Sequence, residues 1–371
     1  MTSTAPVRAP VEEIGPPDPA ALAFERRLRR WLPKVAAQWR MTPRGIRMLQ
    51  RVSEPNPRRV RTKAGTVVSP TMVGGVRGEW VRGVRARNRR TDDQPVVLYC
   101  HGGGYVFGSP RTHRVLASQL SHATGLPLLL PDYRLPPEAT LPAPIEDTLA
   151  VYRALLDDHD PARIVIAGDS AGGNLAHNVA LHAAEAGLPT PAGLVLLSPW
   201  SDLSMSGASF HENDGLDAFI PQIALRRCAR VACGGLDPAG WRQSPLFAPD
   251  ELQARMPPTL VQVGSTELVR DDGLRVADVL ARNGVDARVE LFDRIPHVQA
   301  MWGNLAAGRD ATRRIGAFVA DVLPDGTVHR PDRDDAARAA TDDTTVEAGR
   351  LGDRGGAGDG PRAADDDLVR P

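Results

Sequence analysis

Five consecutive residues, Gly168-Asp169-Ser170-Ala171-Gly172, form the one G-x-S-x-G in the chain. The apolar run at 164–167 (IVIA) leads straight into it, and helix-spaced residues follow from Ala171 to Gly187. A serine at a sharp strand-to-helix turn is held strained with its hydroxyl exposed, as an acyl-transfer nucleophile must be. Flanking glycines remove the Cβ atoms that would collide where helix packs on strand. The helix N-terminus sets partial positive charge near any oxyanion that forms. A serine hydroxyl is still a poor nucleophile at neutral pH and needs a neighbouring base.

The oxyanion of acyl transfer needs preorganised donors. His101-Gly102-Gly103-Gly104 follows the apolar run at 96–100 (VVLYC), and successive glycines let backbone N–H groups turn inward with no side chain in the way. The expected donors are Gly102, Gly103 and Ala171. A phosphate loop would carry Gly-Lys-Ser/Thr or a spaced G-x-G-x-x-G, and neither is present. His101 precedes the hole and is expected to brace the loop by hydrogen bonding.

In the chain order Ser, then Asp/Glu, then His, the base must come late. His177 and His182 lie on the helix that starts at Ser170; His211 precedes any acid-bearing strand; His329 falls in a polar tail. His297 sits in a loop after the run at 287–292 (ARVELF), where a base belongs. The acid that orients it comes from the loop after 260–263 (LVQV), which offers Glu267, Asp271 and Asp272. Glu267, just past the strand end, is favoured over Asp271; Asp271 and Asp272 read as the first turn of the next helix, favourable against its dipole.

Positioning these groups takes a particular layout. Short apolar runs at 96–100, 126–130, 164–167, 194–197, 260–263 and 287–292 fit strands buried on both faces. Helical segments fall between them, at about 111–124, 142–157, 171–187, 220–232, 271–284 and 298–322. The alternation implies an α/β fold with a mostly parallel central sheet flanked by helices. Residues 67–84 read as two antiparallel strands broken at Gly74–Gly75. Leu22, Phe24, Leu28, Leu32 and Val35, interleaved with arginines, give 19–39 the spacing of an amphipathic helix that Pro33 can kink or end. The stretch 200–258 is longer than an ordinary connection and reads as an excursion over the sheet. Residues 1–18 and 325–371 are expected to be disordered, because they bury too little apolar surface to offset ordering entropy.

The 371 residues hold 42% hydrophobic types, enough for a large core. Lys+Arg and Asp+Glu balance at 45 each, so no field of one sign draws the whole chain to nucleic acid. Cys100, Cys228 and Cys233 make no disulfide framework and fit a reducing compartment. No signal peptide and no apolar stretch of membrane-spanning length is evident, so a cytoplasmic protein is expected.

Residues 80–320 resemble the hormone-sensitive-lipase branch of bacterial esterases, also called the α/β-hydrolase fold-3 family. The resemblance is carried by HGGGYVFGSP at 101–110, DYRLPPE at 132–138, PAPIEDTLAVYRAL at 142–155, GDSAGGNLA at 168–176 and the GSTELVRDDG and IPHVQ segments. It implies an α/β-hydrolase fold with a helical cap from about 19–50 and 200–235 that lines the acyl pocket. It implies a serine carboxylesterase for short- to medium-chain acyl esters or lactones, working as a monomer or homodimer on a small-molecule substrate with no metal or cofactor. Ser170 and His297 match the family's nucleophile and base. The family commonly carries Asp-Pro-Leu at the acid loop, where this chain has Glu267-Leu268-Val269. Asp132 and Arg134 are expected to form a structural ion pair. An amidase or deacetylase would use the same triad. A non-catalytic ligand receptor, the third use of this fold, would lack the histidine found at 297.

Overall fold

The computed structural model describes residues 7–17, 19–56, 60–87 and 94–324. Its centre is a nine-stranded sheet of β1 (Val11–Ile14), β2 (Val67–Val73), β3 (Val76–Arg82), β4 (Val96–Cys100), β5 (Leu128–Pro131), β6 (Ile164–Asp169), β7 (Gly193–Leu197), β8 (Thr259–Gly264) and β9 (Ala287–Phe292), in the order β1-β9-β8-β7-β6-β4-β5-β3-β2. From β1 to β5 across that order every pairing is parallel; β3 pairs antiparallel with both β5 and β2. Every residue of β4 to β8 is buried, as strands covered on both faces require.

The helices are α1 (Pro19–Gln38), α2 (Pro43–Ser53), α3 (Val84–Arg87), α4 (Pro110–Thr124), α5 (Ala143–Asp158), α6 (Ala171–Glu185), α7 (Ser209–Glu212), α8 (Gln222–Cys233), α9 (Asp250–Gln253), α10 (Arg270–Arg282) and α11 (Ala306–Val322). Two apolar cores result, one on each side of the sheet. One packs α5, α6 and α8 residues such as Tyr152, Leu175 and Leu225 against Leu98, Ile166 and Leu196. The other packs α4 and α11 residues such as Leu116 and Phe318 against Val97, Val165 and Val195. Alternate residues of each strand thus serve opposite cores. Among the described residues no helix is long and apolar enough to cross a membrane.

Three expectations need correction, and at Pro33 one of two alternatives drops out. Val11–Ile14, inside the 1–18 segment expected to be disordered, adds to the sheet edge along β9, with Val11 opposite Val289 and Ile14 opposite Phe292. A strand that short carries too little pattern to be seen alone; its backbone bonds to β9 supply what its side chains do not. The last helix starts at Ala306 rather than 298, because Val298 sits at φ 58 and a 3-10 turn, Gln299–Met301, follows. Pro33 lies inside α1 without ending it. Arg134 pairs not with Asp132 but with Asp147 of α5 at 2.8 Å and Glu146 at 3.3 Å. The tail expected to be disordered, 325–371, lies outside the described residues.

Candidate active site

Ser170 stands between β6 and α6 at φ 55, ψ −120, outside the backbone regions open to most L-residues at low cost. The turn is held by the Ser170 N–H donating to Leu197 O at 2.8 Å and by Ser170 O accepting from Trp200 N at 3.1 Å. The close approach behind it explains the glycine at 172: a Cβ there would fall 2.1 Å from Cys100 O. The serine side is buried but for a sliver, 7% exposed.

His297 and Glu267 meet across thirty residues of chain. His297 Nδ1 lies 2.6 Å from Glu267 Oε2, and both are almost wholly buried. Facing a carboxylate, which only accepts, Nδ1 carries the proton and Nε2 is left with its lone pair. Nε2 is buried with no hydrogen-bond partner among the described residues, so Ser170 makes no direct bond to it in this structure. Burial pulls the imidazole toward its neutral form, but the Glu267 carboxylate, its hydrogen bond, Asp217 and Asp169 together outweigh burial, and the pKa is raised.

The other Glu267 oxygen, Oε1, accepts three bonds: from Gly264 N at 2.5 Å, Gln299 Nε2 at 2.7 Å and Ser198 Oγ at 2.8 Å. Ser198 Oγ also accepts from Val298 N at 3.0 Å, next to His297. Ser198 follows Leu197, the residue that fixes Ser170, so this short segment ties the Ser170 turn, the Glu267 loop and the His297 loop together. Asp271 lies elsewhere: its carboxylate accepts from Ser209 N at 2.9 Å and pairs with Arg270. Of the two acids, Glu267 is the one beside His297.

The oxyanion loop departs from expectation at one donor. The Gly102 N–H points at the Asp169 carboxylate, 3.0 Å from Oδ1, and is committed there. Next in the loop, Gly103 at φ 119 and Gly104 at φ 61 turn the chain, and their N–H groups meet no acceptor among the described residues. Ala171 heads α6, where no intrahelical carbonyl can satisfy its N–H. The Gly102 N–H, expected to face substrate, is thus already partnered within the protein, with His113 Nε2 also 3.2 Å away, whereas those of Gly103 and Gly104 are not. The run of glycines could not decide this, because it depends on a carboxylate 67 residues away.

Asp169, the first x of G-x-S-x-G, carries no signal in the motif that marks its role. It is buried and accepts from Tyr99 Oη at 2.7 Å, with His113 Nε2 3.3 Å from Oδ1. Burial pushes its carboxyl up, but His113 and the Tyr99 bond more than reverse this, and the pKa is lowered. His101 stacks on Tyr133 with ring centroids 4.2 Å apart, and burial, with His113 nearby, pulls it down to about 3. Its Nδ1 lies 2.9 Å from Gly102 O. A histidine kept neutral and fixed to the loop backbone braces it.

The N-terminal helices and the 200–235 excursion reach the same place. Gln50 of α2 donates to Val106 O, 3.1 Å, beside the oxyanion loop. Asp217 accepts from Leu268 N at 3.0 Å, and Asn213 donates to Glu267 O at 2.7 Å, so the excursion clamps the acid loop. Phe219 lies over the His297 ring, centroids 5.8 Å apart. Cys228 of α8 would touch a Cβ on Gly104 at 3.2 Å. None of Asp217, Asn213 or Phe219 carries a spacing signal; an Asp ahead of a helical run is too common to mark.

A family model described as an alpha/beta hydrolase fold matches residues 97–301, from β4 through His297. This chain belongs to that family. Its relatives include a protein of Streptomyces hygroscopicus named acetyl-hydrolase, 38% identical over 257 residues, which are 68% of this chain and 83% of that one. An esterase of Acinetobacter venetianus is 34% identical over 239 residues, 64% of this chain and 74% of that protein. Among solved structures, an esterase from the bacterial hormone-sensitive lipase family is 38% identical with a TM-score of 0.73, covering 81% of this chain and 99% of that one. The resemblance to the hormone-sensitive-lipase branch thus holds in sequence and in fold.

Proposed function

We propose that this hydrolase is a serine carboxylesterase with Ser170 as nucleophile, His297 as base and Glu267 as the acid that orients it. The observation that carries the reading is the buried Glu267–His297 bond of 2.6 Å with Nε2 left unpartnered, Asp169, the neighbour of Ser170, being near enough to act on the imidazole. His297 takes the hydroxyl proton as Ser170 attacks the ester carbonyl, the contact tightening as substrate closes the site. The tetrahedral oxyanion is held by the N–H groups of Gly103, Gly104 and Ala171. The alcohol leaves with the proton from His297, and water repeats the sequence on the acyl-enzyme.

The helices of 19–50 and the 200–235 excursion line the acyl pocket in this reading, with Phe219 and Cys228 closing it near the base and the loop. That favours short- to medium-chain acyl groups, and the similarity to an acetyl-hydrolase points the same way. The free, buried Cys100, Cys228 and Cys233 support a reducing, cytoplasmic setting. A panel of p-nitrophenyl esters from acetate to palmitate, beside an aryl amide, tests the assignment. The expected result is turnover of the shorter esters, little of the amide, and none in a folded Ser170→Ala variant. Amide turnover equal to that of esters would move the assignment to an amidase; full activity in Ser170→Ala would end it.

A further inference from the structure

Charge is unevenly spread along a chain that is neutral overall. Residues 19–53 hold eight arginines, Lys34 and a single acid, Glu25, so this segment is eight charges positive and the remainder eight negative. Glu25 is buried and paired with Arg29 and Arg294, which leaves no exposed acid on α1 or α2. Arg47 has one ion pair, to Glu138 at 3.5 Å, with both partners about 60% exposed and the pair correspondingly weak in water.

The same two helices expose large apolar side chains, arranged alike. On α1, Trp31 and Val35 are 51% and 49% exposed, one turn apart, beside the exposed Arg27, Arg30 and Lys34. On α2, Met48 and Val52 are each 58% exposed, one turn apart, beside the exposed Arg44, Arg47 and Arg51. The opposite faces are engaged with the site. Phe24 of α1 packs edge-on to Trp302 at 4.8 Å, and Trp302 Nε1 donates to His297 O at 3.1 Å. Arg227 of α8 donates to Ala37 O at 2.6 Å, and Gln50 of α2 to Val106 O.

We propose that the outer faces of α1 and α2 form a docking surface for an anionic lipid membrane. A cationic helix face that also exposes a tryptophan and aliphatic side chains has the make-up of an element lying in the membrane–water interface. The arginines are drawn to anionic headgroups, and the apolar pairs enter the acyl boundary. A nucleic acid or acidic protein would use the arginines but leave two apolar pairs against water or phosphate. The inner faces of these helices touch the base loop and the oxyanion loop, so docking sets the catalytic site at the layer where apolar esters concentrate. This goes beyond the esterase reading, and binding can be read without turnover.

The experiment is co-sedimentation of the full chain with vesicles of dialkyl-ether phosphatidylcholine, with and without dialkyl-ether phosphatidylglycerol. Ether lipids offer no ester, so binding is separated from hydrolysis. Binding is expected to rise at least about tenfold with the anionic lipid and to fall away near 0.5 M salt, where the Debye length is only about 4 Å. Tryptophan emission should shift to the blue, and not in Trp31→Phe. Two variants follow: Arg26→Gln/Arg27→Gln/Arg30→Gln/Lys34→Gln, and Trp31→Ser/Met48→Ser. Both should lose most binding while keeping turnover of p-nitrophenyl acetate, which shows that they fold. Equal binding to neutral and anionic vesicles, or undiminished binding by the charge variant, overturns the proposal. So does full binding by the apolar variant together with displacement of the vesicles by a short RNA duplex, which would assign the face to polyanions instead.

Discussion

Two buried carboxylate–histidine pairs flank the same serine, and they do opposite things. In His297–Glu267 the ring has one nitrogen on the acid and the other unpartnered. In His113–Asp169 both are taken: Nε2 by the carboxylate, Nδ1 by Thr112 Oγ1 at 2.8 Å. In both pairs burial pushes the imidazole down and the carboxylate more than restores it, so both histidines are raised. Titration behaviour therefore does not separate the two pairs. The free nitrogen does, since a ring with no open lone pair has nowhere to take a proton. His101 Nε2 and His177 Nδ1 are unpartnered as well, but their other nitrogens face a backbone carbonyl and a glutamine, not a carboxylate. The second pair holds Gly102 through Asp169, and so fixes the loop whose next two amides are the proposed oxyanion donors.

The comparison breaks most sharply at His297. His297→Ala should lower kcat by about 10^4-fold or more, while its urea midpoint moves little, because Glu267 keeps three donors. Glu267→Gln should cost about 10^3-fold in kcat through loss of the correct tautomer, read with the same soluble ester. His113→Ala should invert this pattern. It strands the Asp169 charge with only Tyr99 and Gly102 donating, which costs about 3 kcal/mol of stability by urea unfolding and about tenfold in kcat through a loosened oxyanion loop. An activity loss in His113→Ala as large as in His297→Ala would erase the distinction.

The pH profile sharpens it further. The base must be neutral, and its pKa is raised, so kcat/KM should fall with decreasing pH through a midpoint above about 6.5, the ordinary histidine value. In Glu267→Gln burial acts without its counterweight, and this acid limb should move to lower pH. Asp271→Ala should be the smallest effect, within about twofold in kcat, because that side chain serves Ser209 and Arg270. A loss there comparable to Glu267→Gln would reassign the acid.

Much of this was legible in the chain. The six apolar runs, the turn at Ser170, the late histidine and the acid just past β8 each leave a local mark. Buried strands must be continuously apolar, and a strained serine turn needs small neighbours. The donors to the oxyanion were legible only as a class: three glycines mark a loop, not which amide is spent on Asp169. The Arg134 partner was misplaced for the same reason, since Asp147 lies a turn into α5 and nearer in space than Asp132. The strand at Val11–Ile14 left no mark, being four residues stabilised by an edge formed 278 positions later.

By itself the sequence determined the kinds of element, their order and the residue types able to move a proton or attack a carbonyl, because periodicity and side-chain chemistry are local. Only the tertiary structure decided which of two histidines has a free nitrogen and which glycine amide is open. It also decided which of two acids meets the imidazole. Each of these depends on hydrogen bonds between segments far apart in the chain, and a donor can be committed only once its partner has been brought within about 3 Å.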